Sequence, residues 1–215
     1  MTQGRSAPRR GRPPIPRERI VAVALEIVAQ EGADALSLRN LAARLSSSTS
    51  TLYRHVDNRR ELIALVFDGL LGEVPLDGGT AHPQWGEECR AVASKLFSVL
   101  SAHRGAAGLV GETVPSGPNA LAIREYLFGV LTGAGFPLGI SAKAVATLGH
   151  YVIGFAMQAP ANSPAHPSEN RLGDIDSEKY PLTAEALPRL PIPLDVEFAF
   201  GLDLILNGLR RYLGD

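Results

Sequence analysis

Apolar positions recur at three- and four-residue intervals along nearly the whole chain and nowhere alternate with period two, so the pattern predicts an all-α protein. From Pro16, the positions Ile20, Val23, Ala24, Ile27 and Val28 form one stripe, and Gly32 closes that helix as a C-cap. Ser37 offers an N-cap hydroxyl to a helix of about two turns that carries Leu38, Leu41, Ala42 and Leu45 on one side. Leu52 and Val56, four apart, mark a third short helix. Asn58 and Glu61 make a capping pair for a fourth, which runs through Leu62, Leu65, Val66 and Leu70. Longer helices are expected over roughly 84–104, 119–135, 141–157 and 196–213, and the Pro-containing polar stretch 159–182 reads as a mobile loop.

Two short helices joined by a tight turn, the second capped by a polar residue and followed by another helix, form the pattern of a helix-turn-helix. The chain then divides into a basic arm (1–15), a three-helix DNA-binding domain with its helix-turn-helix (16–72) and a C-terminal helical bundle (73–215). The charges support this division although the formal net charge is only -1. Residues 1–60 hold eleven Arg against five acidic residues, and residues 61–215 hold ten basic against seventeen acidic, so only the front suits a polyanion. In the arm, Arg9-Arg10-Gly11-Arg12-Pro13 is similar to an AT-hook, which would lay Arg10 and Arg12 in a narrow minor groove. A plain basic tail fits the same residues.

The run of six hydroxyl residues Ser46–Thr51 falls where the turn and recognition helix are expected. With Ser46 and Ser47 in the turn and Ser48 as N-cap, Thr49, Ser50 and Thr51 occupy the first turn of the helix that enters the major groove. Short hydroxyls there can reach base edges or phosphate oxygens, and a Thr methyl can touch thymine. Tyr53 and His55 are placed to hydrogen-bond phosphates, and Arg39 and Arg59 lie in first turns of their helices, where basic groups suit phosphate. Tyr53 packed on the first helix and His55 as a structural hydrogen-bonding residue are the alternatives.

The segment "IVAVALEIVAQEGADALSLRNLAARLSSSTSTLYRHVDNRRELIALVFD" resembles the DNA-binding domain of the tetracycline-repressor (TetR) family, over residues 16–70. The resemblance implies a homodimeric transcriptional regulator, usually a repressor released by a small molecule, with Arg39, Thr49, Ser50, Thr51, Tyr53, His55 and Arg59 at the DNA. The turn departs from the family: Ser46 stands where Gly is usual and must adopt the same backbone geometry. Residues 97–158 are similar, more weakly, to the core of the tetracycline repressor itself. Val110 occupies the position of its metal-coordinating His and Gln158 that of a second-shell Glu, so magnesium-tetracycline is not the expected ligand. The final segment, with Phe198, Gly201, Leu202, Ile205 and Leu209 on one apolar face, is similar to the family's last helix, which forms a four-helix dimer interface with the 141–157 helix.

A bundle interior built from Leu96, Leu100, Leu109, Val110, Ile123, Leu127 and Phe155, with Thr113, His150 and Gln158 as polar anchors, has the mix of a small-molecule site for a largely apolar effector. No metal or cofactor is expected: a lone Cys89 supports neither a disulfide nor a thiolate metal cluster, and His103, His150 and Glu112 lack ligand spacing. No signal peptide or membrane span is expected, which points to a cytoplasmic protein. The reading is a dimeric, ligand-responsive repressor bound to a double-stranded operator. An activator or effector-independent regulator fits the same sequence. A small helical enzyme would need a site assembled across helices, because no nucleophile with base, paired carboxylates or phosphate loop is visible.

Overall fold

Each short front helix starts at a side chain that takes over an otherwise unpaired backbone N–H. The structure, a computed structural model, describes residues 15–76, 84–103, 105, 109, 115–159 and 175–213. α1 (Arg17–Glu31) ends at Gly32, whose N–H donates to the Val28 carbonyl at φ 88°. Ser37 Oγ accepts from the Asn40 N–H and starts α2 (Leu38–Arg44). Ser48 Oγ accepts from the Thr51 N–H and starts α3 (Thr49–Leu52), and Asn58 Oδ1 accepts from the Glu61 N–H and starts α4 (Arg59–Leu71). Glu61 reaches back to the Asp57 N–H at 2.7 Å, so the capping pair is reciprocal but extends one residue further than expected.

α3 is a single turn, and Val56 lies beyond it on a tight continuation in which the His55 and Val56 N–H groups both donate to the Leu52 carbonyl. So short a helix has no stability of its own. Leu52 holds it: its side chain is fully buried against the front core, a contact worth about 2–5 kcal/mol on truncation to Ala.

Behind α4 follow α5 (Trp85–Ala102), α6 (Pro118–Gly133), α7 (Leu138–Ala156), α8 (Pro181–Ala186) and α9 (Leu194–Leu209), with no strand among the described residues. α7 and α9 begin earlier than the apolar pattern suggests because Pro137 and Pro193 stand directly before them, and α6 and α8 carry Pro in their first turns. Proline's fixed φ favours such starts. α8 occupies the end of the stretch expected to be loop. Residues 175–180 of that stretch form turns and irregular backbone, and 160–174 lie outside the described residues.

Two hydrophobic cores meet on α4. Leu62, Ile63 and Val66 join Ile20, Ile27, Leu41 and Leu52 in front, while Phe67, Leu70 and Leu71 join α5, α6, α7 and α9 behind. Leu109, expected in the ligand site, instead fills the front core with no exposed surface.

The expected apolar face of α9 also turns inward. Phe198 stacks on Phe97 with centroids 4.2 Å apart and meets Phe155 edge-on, and Leu202 is buried. Gly201 leaves room for the Tyr151 phenol, whose hydroxyl donates to the Phe198 carbonyl at 2.7 Å. The close approach expected at Gly201 is thus made to another helix, α7 of the same chain, whereas Gly208 has no described neighbour to accommodate. The apolar stripe left on the outside of α9 is Val196, Phe200 and Leu204.

α7 contradicts the expectation that no stretch is apolar and long enough to span a membrane: it has 19 residues, and an 18-residue window of it has a mean hydropathy of 1.2. Its inner stripe of Ala144, Val145, Leu148 and Val152 packs into the back core, while Lys143 and His150 are exposed on the other side. Packing within the chain accounts for this inner stripe.

Ser46 is the only described non-glycine residue at positive φ, 48°. A Cβ in this region is unfavourable, and Gly enters it at no steric cost. Ser46→Gly should therefore raise unfolding stability by about 0.5–1 kcal/mol in urea titrations, with the turn unchanged.

Candidate DNA-binding surface and effector cavity

The front surface is built on the capped end of α3. Arg39, Thr49, Ser50, Tyr53 and Arg54 are exposed, and Thr51 and His55 are half-buried. Tyr53 is 53% exposed, so it projects from the front unit instead of packing on α1. The hydroxyls are tied to one another: Ser48 Oγ lies 2.7 Å from Ser50 Oγ and 3.0 Å from Thr51 Oγ1, and it also accepts from the Thr51 N–H. Thr49 is left as the outward hydroxyl of the turn.

Arg59, expected at a phosphate, is bonded here to the protein's own backbone. Its Nε–H donates to the Leu36 carbonyl at 2.9 Å and its terminal nitrogen to the Ala33 carbonyl at 3.1 Å. These carbonyls belong to the α1–α2 connection, so the guanidinium braces that connection against α4. Arg10 and Arg12 lie outside the described residues.

Between α4, α5, α6 and α7 lies a cavity of about 840 Å³, within the range of small-molecule sites. Leu96, Leu100, Ile123, Leu127 and His150 line it, as expected from the sequence. Val110 and Thr113 lie outside the described residues. Gln158 does not line the cavity: it sits beyond the end of α7, exposed, and its amide donates to the Gly154 carbonyl at 3.3 Å. Phe155 is turned instead toward Tyr151 and Phe198. Among the described residues no three His, Cys, Asp or Glu side chains converge as metal ligands.

The structure adds lining residues that the apolar pattern did not single out. Cys89 is one. Burial, with a smaller contribution from the Glu88 carboxylate, pushes its thiol up to about 12, so it is a neutral, inert part of the wall. Arg60 and Arg124 also line the cavity.

The wall of this cavity is joined to the front unit by Asp68. Only 9% exposed, its carboxylate accepts from the Ala120 N–H at 3.0 Å, from the Asn119 N–H at 3.4 Å and from the Asn119 amide at 3.2 Å. The Asn119 amide also donates to the Asp68 carbonyl. α6 has no side-chain cap of its own, so Asp68 of α4 supplies one across the fold, and its negative charge suits the positive end of the α6 dipole. Gly117 completes the fit, since a Cβ there would overlap the carboxylate. An acid in the middle of an apolar helix was the only signal for this contact. Its partner, 51 residues away in sequence, carries no cue.

Comparison with known proteins accords with this geometry. Residues 79–213 match the family model "Tetracyclin repressor-like, C-terminal domain", and residues 20–66 match "Bacterial regulatory proteins, tetR family". The chain is 35% identical over 147 residues to an HTH-type transcriptional regulator of Saccharopolyspora erythraea, covering 67% of this chain and 61% of that protein's length. It is 27% identical to the HTH-type transcriptional repressor DrrR1 of Streptomyces coeruleorubidus, over 96% of this chain and 82% of DrrR1. Among solved structures it is similar to the TetR family protein ActR of Streptomyces coelicolor in complex with actinorhodin. There the TM-score is 0.82 at 29% identity, with 95% of this chain and 99% of that one covered. The chain belongs to the tetracycline-repressor family and is a DNA-binding transcriptional regulator, not an enzyme.

Two outcomes follow from the cavity and its clasp. Asp68→Ala strands buried N–H groups at the start of α6 and should cost about 2–3 kcal/mol in urea unfolding at pH 7, and Asp68→Asn, which keeps one acceptor, less. Because the folded thiol holds its proton more tightly than the unfolded one, Cys89 favours folding below pH 9.0, and that contribution declines as pH rises from 9.0 toward about 12. Iodoacetamide at pH 8 should accordingly leave Cys89 unmodified in the native protein and alkylate it once urea unfolds the chain.

Proposed function

We propose that the chain is a homodimeric repressor that holds a near-palindromic operator through α2 and α3 and releases it when a small molecule enters the cavity. The observation that carries this reading is the position of α4: it follows the recognition helix, contributes buried residues to both cores and lines the cavity with Phe67 and Leu71. Anything that changes the cavity's shape acts on the helix that sets the angle of α3. DrrR1 is named a repressor and ActR is held with actinorhodin, which supports both halves of the reading.

At the DNA, Thr49, Ser50 and Thr51 lead α3 into the groove, with Ser48 as its cap, while Tyr53, His55 and Arg39 contact the flanking backbone. The proposed role of Arg59 is to keep α2 and α4 in register. The arm residues Arg10 and Arg12 add nonspecific or minor-groove affinity.

The dimer forms through the outer faces of α7 and α9. Val196, Phe200 and Leu204 of α9 and Leu138 and Met157 at the ends of α7 are each more than half exposed within one chain. Exposed apolar area of this kind marks an interface. Two α3 helices related by a two-fold axis would then meet successive major grooves. The exposed α7 residues Ala142, Ala146, His150, Gly154 and Met157 also line the cavity, so a second subunit on this face would help to close it.

The test is titration of the purified protein onto the DNA upstream of its own gene at two salt concentrations. Saturable binding to a palindrome that weakens steeply with salt is expected. Binding no tighter than to random DNA would refute the reading. Thr51→Ala should weaken the palindrome complex by about 1 kcal/mol while sparing random-DNA affinity.

A further inference from the structure

The charge of the cavity runs against the charge of the region that encloses it. Residues 61–215 carry seventeen acidic against ten basic side chains, yet no Asp or Glu occurs among the described lining residues, where Arg60 and Arg124 are both present. Elsewhere Arg44 pairs with Glu31, Arg90 with Asp203 and Arg59 with backbone carbonyls, and described arginines without such partners, Arg39 and Arg54 among them, stand exposed on the surface rather than at a cavity. Arg60 and Arg124 make no hydrogen bond or ion pair with any described residue. Arg124 is half-buried on α6, one position off the stripe of Ile123, Leu127 and Leu131. Arg60 is exposed at the first turn of α4.

A guanidinium kept beside apolar walls with no counterion among the described residues favours an anion brought from outside, because a charge-assisted pair is strengthened beside an apolar wall. The remaining lining, including Phe67, Leu96, Leu127, Phe128 and Val145, takes up an apolar body. We infer that the effector is an organic acid: an apolar, ring-sized body with an anionic group seated on Arg124 and closed over by Arg60. This rests on the cavity being the effector site. It also gives that site a means of signalling, because Arg60 belongs to the helix that carries the front core, and drawing it toward the anion pulls on the start of α4.

Two fluorescent probes of nearly equal size separate the contributions: anilinonaphthalene sulfonate, which is anionic, and N-phenyl-1-naphthylamine, which is neutral. Full-length protein should bind the anionic probe about tenfold more tightly than the neutral one. Arg124→Gln should erase that preference by weakening only the anionic probe, Arg124→Lys should retain most of it, and Arg60→Gln should reduce it while leaving the neutral probe within about twofold. Thermal melts of each variant establish that the fold is intact. Equal binding of the two probes, or an Arg124→Gln loss shared by both, would overturn the organic-acid assignment while leaving the cavity as a ligand site. If neither probe binds, the cavity reading itself fails and takes the assignment with it.

Discussion

Asp68 leaves α4 where the front and back cores meet, and its buried carboxylate closes the first turn of a helix that has no cap of its own. Burying an ionised carboxylate is unfavourable unless every oxygen finds donors, and here Asn119 and Ala120 provide them through backbone and side chain together. Such a contact tolerates little sliding. If α6 moves to accommodate a molecule in the cavity, α4 must follow or the cap must break. Under the proposed function, this joint is the route by which a change in the cavity would reach α4 and the helix-turn-helix beyond it.

At the other end of α4 the constraints are local. α3 is one turn long, capped by Ser48 and pinned by Leu52, and it meets α4 through the Asn58 cap. Its hydroxyls are largely engaged with one another, and it carries no Arg, Asn or Gln to make a bidentate base contact. Under the proposed docking, the operator preference falls to Thr49 and Thr51 and, in large part, to the shape of the DNA itself. Arg59, spent on the carbonyls of Ala33 and Leu36, contributes by holding these groups in place.

The helices and their caps were legible in the sequence because they depend on neighbours three or four residues away. Ser37, Ser48 and Asn58 start their helices as their side chains dictate, and Ser46 takes the left-handed geometry that the tight turn demands. Part of the cavity was legible for the same reason, since Leu96, Leu100, Ile123 and Leu127 repeat at helical spacing. What the chain did not reveal depends on which face turns inward. Leu109 went to the front core, Gln158 ran past the end of its helix, and the outer stripe of α9 proved to be Val196, Phe200 and Leu204 rather than the face of Phe198 and Leu202. Asp68 and Arg124 escaped notice because their significance lies in tertiary surroundings: one acid buried far from its partner in sequence and one cation lining an apolar cavity.

The cavity and the DNA surface thus share one helix, and any influence of one on the other must be reciprocal. The most direct measurement is the factor by which saturating anilinonaphthalene sulfonate changes the dissociation constant for the upstream DNA, determined for the unmodified protein and for Asp68→Ala. A joint that works through Asp68 predicts weaker DNA binding on cavity occupancy in the unmodified protein. In Asp68→Ala the factor should fall toward one while probe and DNA each still bind alone. An equal factor in both proteins would contradict that role for Asp68.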